Sequence, residues 1–138
     1  MRKAKRNTSE TDRLFLASSL SISALQVIAI SVRTLGRIRT ITSLELFFGI
    51  TGLITFVLVF VVNLRSIVAM HVSHRNLVVN SLVTVPYFYQ FFSYSRLIVS
   101  GRGLTLGMSM NFSVALFFIA FFSFLTHRCR KALQDYRG

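Results

Sequence analysis

The sequence is poor in acid, in cysteine, in proline and in charge as a whole, and each scarcity excludes something. A single cysteine forbids an internal disulfide and a zinc–cysteine cluster. Only 14% of the 138 residues are charged, where globular proteins spend about a quarter of theirs on Asp, Glu, Lys and Arg. Four acids stand against 16 Lys and Arg, leaving a net charge of +12. No internal repeat and no Pro-rich or Gly/Ser-rich linker divides the chain. No glycine loop of the phosphate-cradling kind is present, and no nucleophile has a base and an orienting group at a useful spacing. No enzymatic activity, cofactor or metal is therefore expected.

What the chain has instead is apolar length. Hydrophobic residues make up 53% of it, and four stretches of 19, 19, 20 and 24 residues are free of both charge and histidine. Each approaches the ~20 residues a helix needs to cross a hydrocarbon core. This spacing predicts an all-α, polytopic transmembrane bundle with four spans at 14–32, 44–64, 77–95 and 104–126. A basic arm (1–13) precedes the spans and a basic tail (127–138) follows them. The first span is the most polar, with Ser18, Ser19, Ser21, Ser23, Gln26 and Ser31, so an amphipathic helix lying in the interface is its alternative. The third contains Pro86, which is tolerated where neighbouring groups satisfy the freed carbonyl. A kinked span is expected there.

The 13 Arg and 3 Lys sit in the gaps between apolar stretches rather than on one face, which excludes a nucleic-acid surface. Counted gap by gap, 11 fall on the side of the arm, the middle loop and the tail, and 5 on the other. The positive-inside rule then places both termini in the cytosol. The expected location is integral to a membrane, the plasma membrane ahead of an organelle. Glu10 and Asp12 in the basic arm argue against a signal or transit peptide.

A few residues stand out as candidate sites. Glu45, at the lip of the second span, reads as an interfacial anchor or ion pair, or else as a relay or ligand contact. Asn80, Gln90 and Asn111 are intramembrane polar groups that either bond between helices or face a ligand. Gly49 and Gly52, and the Gly103-x-x-x-Gly107 pair, are candidate helix-packing positions. His71 and His74 are spaced to share a helical face in the middle loop. Tyr87, Tyr89 and Tyr94 suggest an aromatic belt at the outer interface. Cys129, among Arg128, Arg130 and Lys131, fits a lipidation site.

From the second span onward the order of features is familiar. Leu44-Glu45-Leu46 opens a span and Val62-Asn63-Leu64-Arg65 closes it; His74-Arg75-Asn76-Leu77 leads into the next. A tyrosine-rich span with Pro86 follows, then Ser95-Arg96, then a span ending in Thr126-His127-Arg128. This resembles the first three spans of nematode serpentine (seven-transmembrane) chemoreceptors, over about residues 44–130. The resemblance implies ligand sensing coupled to a G protein. His74, Arg75, His127 and Arg128 would then be cytosolic partner contacts. The first span has no counterpart in such receptors, and 138 residues cannot hold seven spans. The expectation is therefore a truncated or divergent receptor relative, with a small non-catalytic accessory or assembly subunit of a larger membrane complex as the alternative. The expected partners are the lipid bilayer and another membrane protein or a G protein.

Overall fold

The computed structural model describes residues 8–137. Four helices follow one another: α1 (Glu10–Gly36), α2 (Ser43–Ala69), α3 (His74–Val99) and α4 (Leu106–Arg137). No strand occurs among the described residues. Three of the four, α1, α2 and α4, are long and apolar enough to cross a membrane. At roughly 1.5 Å per residue, the 27 residues of α1 and of α2 reach about 40 Å.

Local chemistry sets where the helices begin. Ser9 and Asp12 form a reciprocal cap on α1: the Asp12 N–H donates to Ser9 Oγ and the Ser9 N–H to Asp12 Oδ2, each at 3.2 Å. Thr42 and Glu45 repeat the device on α2 at 3.2 and 3.0 Å. These pairs satisfy amide donors that a helix start leaves orphaned. On α3 the Ser73 N–H donates to Asn76 Oδ1 at 2.9 Å. On α4 the Met108 N–H donates to Thr105 Oγ1 at 3.2 Å. Met70 closes α2 in the left-handed region, φ 52°, and Gly101 follows α3 at φ 75°.

The connections are short, so successive helices run antiparallel. The residue pairings confirm it: Gly49 lies against Thr34, Gly52 against Ile30, and Asn63 against Ser19 as α2 descends beside α1. On the other side Tyr87 meets Phe118 and Phe91 meets Phe112, with ring centroids 4.6 and 5.5 Å apart. The result is two hairpins, α1–α2 and α3–α4. They join through α2 against α3 and α1 against α4, while the diagonal pairs do not approach closely.

The hairpins are not joined along their whole length. Every buried residue lies outside 24–55 and outside 84–114. Leu16, Phe56, Val59, Val83, Phe118, Phe122 and Leu125 form the apolar core of the closed half. That half is the end where α1 begins, the α2–α3 loop turns and α4 finishes.

Four boundaries differ from the sequence expectation. α4 continues past 126 through the basic tail to Arg137 and buries Cys129 and Ala132 on the way. The middle loop shrinks to residues 70–73, because α2 and α3 extend into it. Residues 10–13 of the arm are the first turn of α1, and residues 1–7 lie outside the described ones. Gly103 stands ahead of α4 rather than within it.

Candidate functional site

The centre of the closed half is polar. Asn63 of α2 is fully buried, and its carboxamide nitrogen donates to Ser19 Oγ of α1 at 2.8 Å and to Asn80 Oδ1 of α3 at 3.0 Å. Its oxygen accepts from Asn76 Nδ2 at 3.0 Å and from Asn80 Nδ2 at 3.2 Å. Asn76 Oδ1 also takes the Ser66 hydroxyl at 2.9 Å. Asn80 Nδ2 donates once more to the Asn76 carbonyl at 2.8 Å. The Ser19 hydroxyl in turn donates to the Leu16 carbonyl at 2.6 Å. Three helices thus meet in one bonded node.

Helical spacing explains why these residues converge. Asn76 and Asn80 are four apart, Asn63 and Ser66 three apart, so each pair shares one helix face. Such polar faces are costly in hydrocarbon and gain most by turning toward one another. At about 1.5 Å for each residue back to Glu10, Ala69 and His74, Ser19, Asn63 and Asn80 lie roughly 9–14 Å from the helix ends, and Ser66 and Asn76 about 3–5 Å.

A second polar contact sits nearer that end. Arg128 Nε of α4 donates to Asp12 Oδ1 of α1 at 2.8 Å, and Arg128 Nη2 lies 3.4 Å from Ser9 Oγ. The pair is mostly enclosed, with side-chain exposures of 26% and 12%. A shallow cavity of about 230 Å³ beside it is lined by Ser9, Asp12, Arg128, Lys131, Ala132 and Asp135. The His71 ring stands edge-on to Tyr136 at 5.4 Å, tying the α2–α3 loop to the last turns of α4.

The sequence candidates fall in scattered places. Asn80 is in the node. Glu45 is exposed at the opposite end, where it caps its own helix and pairs with Arg37 at 3.4 Å. Gln90 and Asn111 are exposed in the open half. Gly49 and Gly52 are true close approaches: an added Cβ would stand 3.0 Å from Thr34 Oγ1 and 3.2 Å from Ile30 Cδ1. A Cβ added at Gly103 or Gly107 would meet no atom of the described residues within 4 Å, so neither is a close approach within the bundle. Cys129 is 2% exposed, so its thiol is part of the core rather than offered to an acyl transferase. His71 and His74 do not share a helix face, because His71 is in the loop and His74 begins α3. His74, Arg75 and His127 are exposed at the closed end, and Arg128 is engaged by Asp12.

The tyrosines do not form one belt. Tyr87 and Tyr94 face Phe118 and Phe112 within the α3–α4 hairpin, and only Tyr89 is largely exposed. The principal polar residues, Asn63 and Asn76, are not among the sequence candidates. The pairs Ser19–Ser23, Asn63–Ser66 and Asn76–Asn80, at helical spacing, were the signal that could have found them.

Fold and site together define an all-helical protein fitted to a membrane, organised around a buried asparagine–serine node. Comparison with known proteins found no match: no family model, no curated protein and no solved structure is similar to this chain.

Proposed function

We propose that this chain is a non-catalytic, four-span membrane protein with cytosolic termini, acting as an assembly or accessory subunit of a larger membrane complex. The observation that carries this reading is the integration of α1. Ser19 enters the node, and Asp12 binds Arg128 of α4, so α1 is built into the bundle against both α2 and α4. The chemoreceptor resemblance, by contrast, has no counterpart for α1. Glu45 and Asn80 are occupied within the chain, by a helix cap and by the node, rather than turned toward one ligand.

Two arguments support α3 as the fourth span. Its 26 residues reach about 39 Å at roughly 1.5 Å each. Asn76 and Asn80, which lower its apolar character, are buried and bonded, which removes most of their cost in lipid. Orientation rests on the 11-to-5 distribution of Lys and Arg.

Impermeant maleimide labelling of intact cells tests the topology. In a Cys129→Ala background, Arg102→Cys should react from outside and Arg75→Cys only after permeabilisation; the reverse pattern overturns the orientation. Mild-detergent extracts at native expression test the subunit role. The 15.7 kDa chain should run within a larger complex of discrete mass, and a solitary species sinks the reading.

One observation favours a second reading, the receptor. His74, Arg75 and His127 are exposed at the same end of the bundle, where a cytosolic partner would meet them. Nucleotide exchange on a co-reconstituted G protein, abolished by Arg75→Ala, would establish it.

A further inference from the structure

The two hairpins are joined at one end and parted at the other, and the parted half is lined by polar groups on inward arcs. Gln26 and Arg33 follow Ser19 at successive seven-residue steps on α1; Gln90 follows Val83 by seven, and Asn111 precedes Phe118 by seven. Seven residues are about two helical turns, so each falls on the arc that is buried in the closed half. Here Arg33, Gln90 and Asn111 are exposed and Gln26 half-buried. None of Gln26, Gln90 and Asn111 makes a side-chain hydrogen bond to another described residue. The gap ends at the level of Ser23, Phe56, Val83 and Ala115, the last buried residue of each helix. Ser23 Oγ is buried there without a partner.

Charge selects the occupant. Arg33 has no carboxylate partner among the described residues, whereas Glu45, the acid at this end, is held by Thr42 and Arg37. Arg33 continues the arc of Ser19 and Gln26, the arc that faces the other hairpin in the closed half. It stands three residues from the end of α1, roughly 4.5 Å, the depth of lipid headgroups. A second basic cavity at this end, about 500 Å³ and lined by Ser93, Arg96, Leu97, Ser100 and Arg102, adds to the positive field. The outer edges are apolar, with Ile28 and Val32 of α1 and Phe92 of α3 exposed.

We propose that the gap between the hairpins binds an anionic phospholipid, its phosphate on Arg33, its ester groups against Gln26, Gln90 and Asn111, and its acyl chains between the apolar edges. Guanidinium and phosphate form strong charge-assisted hydrogen bonds. The lipid would satisfy polar groups that hydrocarbon alone leaves bare. The inference rests on all four helices crossing the bilayer, which the cysteine labelling above tests independently.

The full chain, delipidated in detergent, is titrated by native mass spectrometry with phosphatidylglycerol and with phosphatidylcholine of the same acyl chains. Phosphatidylglycerol should bind about tenfold more tightly, the value of one such contact. Arg33→Gln should remove that preference, Arg33→Lys should keep part of it, and Arg65→Gln in the closed half should change nothing. Glycerol phosphate separates lipid from free anion. Equal affinity for it, equal affinity for phosphatidylcholine, or an Arg33→Gln chain that still prefers phosphatidylglycerol overturns the proposal. A second measurement needs no variant: diazirine-bearing phosphatidylglycerol should crosslink to residues 24–36 and 104–114. Crosslinks confined to the outer faces of the closed half overturn the proposal as well.

Discussion

Asn63 and Asn80 exchange hydrogen bonds through both ends of their carboxamides, at 3.0 Å in one direction and 3.2 Å in the other. This closed amide pair joins the two hairpins between α2 and α3, and neither partner has access to solvent. Replacing Asn63 with Leu leaves Ser19, Asn76 and Asn80 short of partners, although the volume is nearly kept. Individual hydrogen bonds in membranes contribute about 0.6 kcal/mol and at most roughly 1.7, while stranded groups cost more. Asn63→Leu should lower stability by about 2–3 kcal/mol in detergent-induced unfolding. Asn63→Leu combined with Asn80→Leu should cost less than the sum of the two single changes.

The Asp12–Arg128 pair is the polar contact between α1 and α4. With exposures of 26% and 12% it stands between a surface and a buried pair. Asp12→Asn should cost about 1–2 kcal/mol. Swapping the two residues, Asp12→Arg with Arg128→Asp, should restore part of the loss in the same unfolding assay. Failure of the swap to recover anything would reduce Asp12 to a helix cap.

Met70 carries the left-handed conformation that ends α2. A residue with a Cβ pays about 1–2 kcal/mol there, and glycine does not. Met70→Gly should raise the thermal midpoint, offset partly by the freer unfolded chain. A fall instead would mean that the Met70 side chain contributes more than its backbone costs.

The two glycine pairs should part company under substitution. Gly49→Val drives methyl groups toward Thr34, and Gly52→Leu drives its side chain onto Ile30, so each should loosen the α1–α2 hairpin by about 1–3 kcal/mol. Gly107→Val meets open space and should cost no more than a few tenths. Unfolding midpoints of the three variants check the contrast.

Cys129 should react with maleimide only after the bundle is opened. Its thiol is 2% exposed between α4 and the core, so labelling in mild detergent should be slow and labelling in sodium dodecyl sulfate complete. Rapid labelling of the folded chain would return the thiol to the list of modification sites.

The four helices were legible in the sequence because charge punctuates hydrocarbon length, and one residue type on each border suffices to read it. Their ends were less so. Arg65 and Arg75 mark where the apolar runs stop, but helices continue past charges once they leave the core, as α2 does to Ala69. Which polar residues matter was legible only in pairs. Asn80 alone reads the same as Gln90, yet one is locked to Asn63 and the other lies exposed. The difference depends on where two hairpins touch, a long-range fact that no local pattern carries. Gly103 and Gly107 have the spacing of a packing motif, but α4 begins between them.

The node also has a consequence for how the chain is made. When the α1–α2 hairpin first leaves the synthesis machinery, Asn63 has Ser19 as its only listener. Its remaining partners, Asn76 and Asn80, arrive 13 and 17 residues later. Until the opening turns of α3 emerge, the bonds that Asn63 makes to α3 have no partner. Because Asn76 and Asn80 are about one turn apart, a one-turn slip of α3 would set one of them in the other's place and leave Asn63 with a single asparagine partner. The order of synthesis and the register of the finished bundle are checked at the same amide.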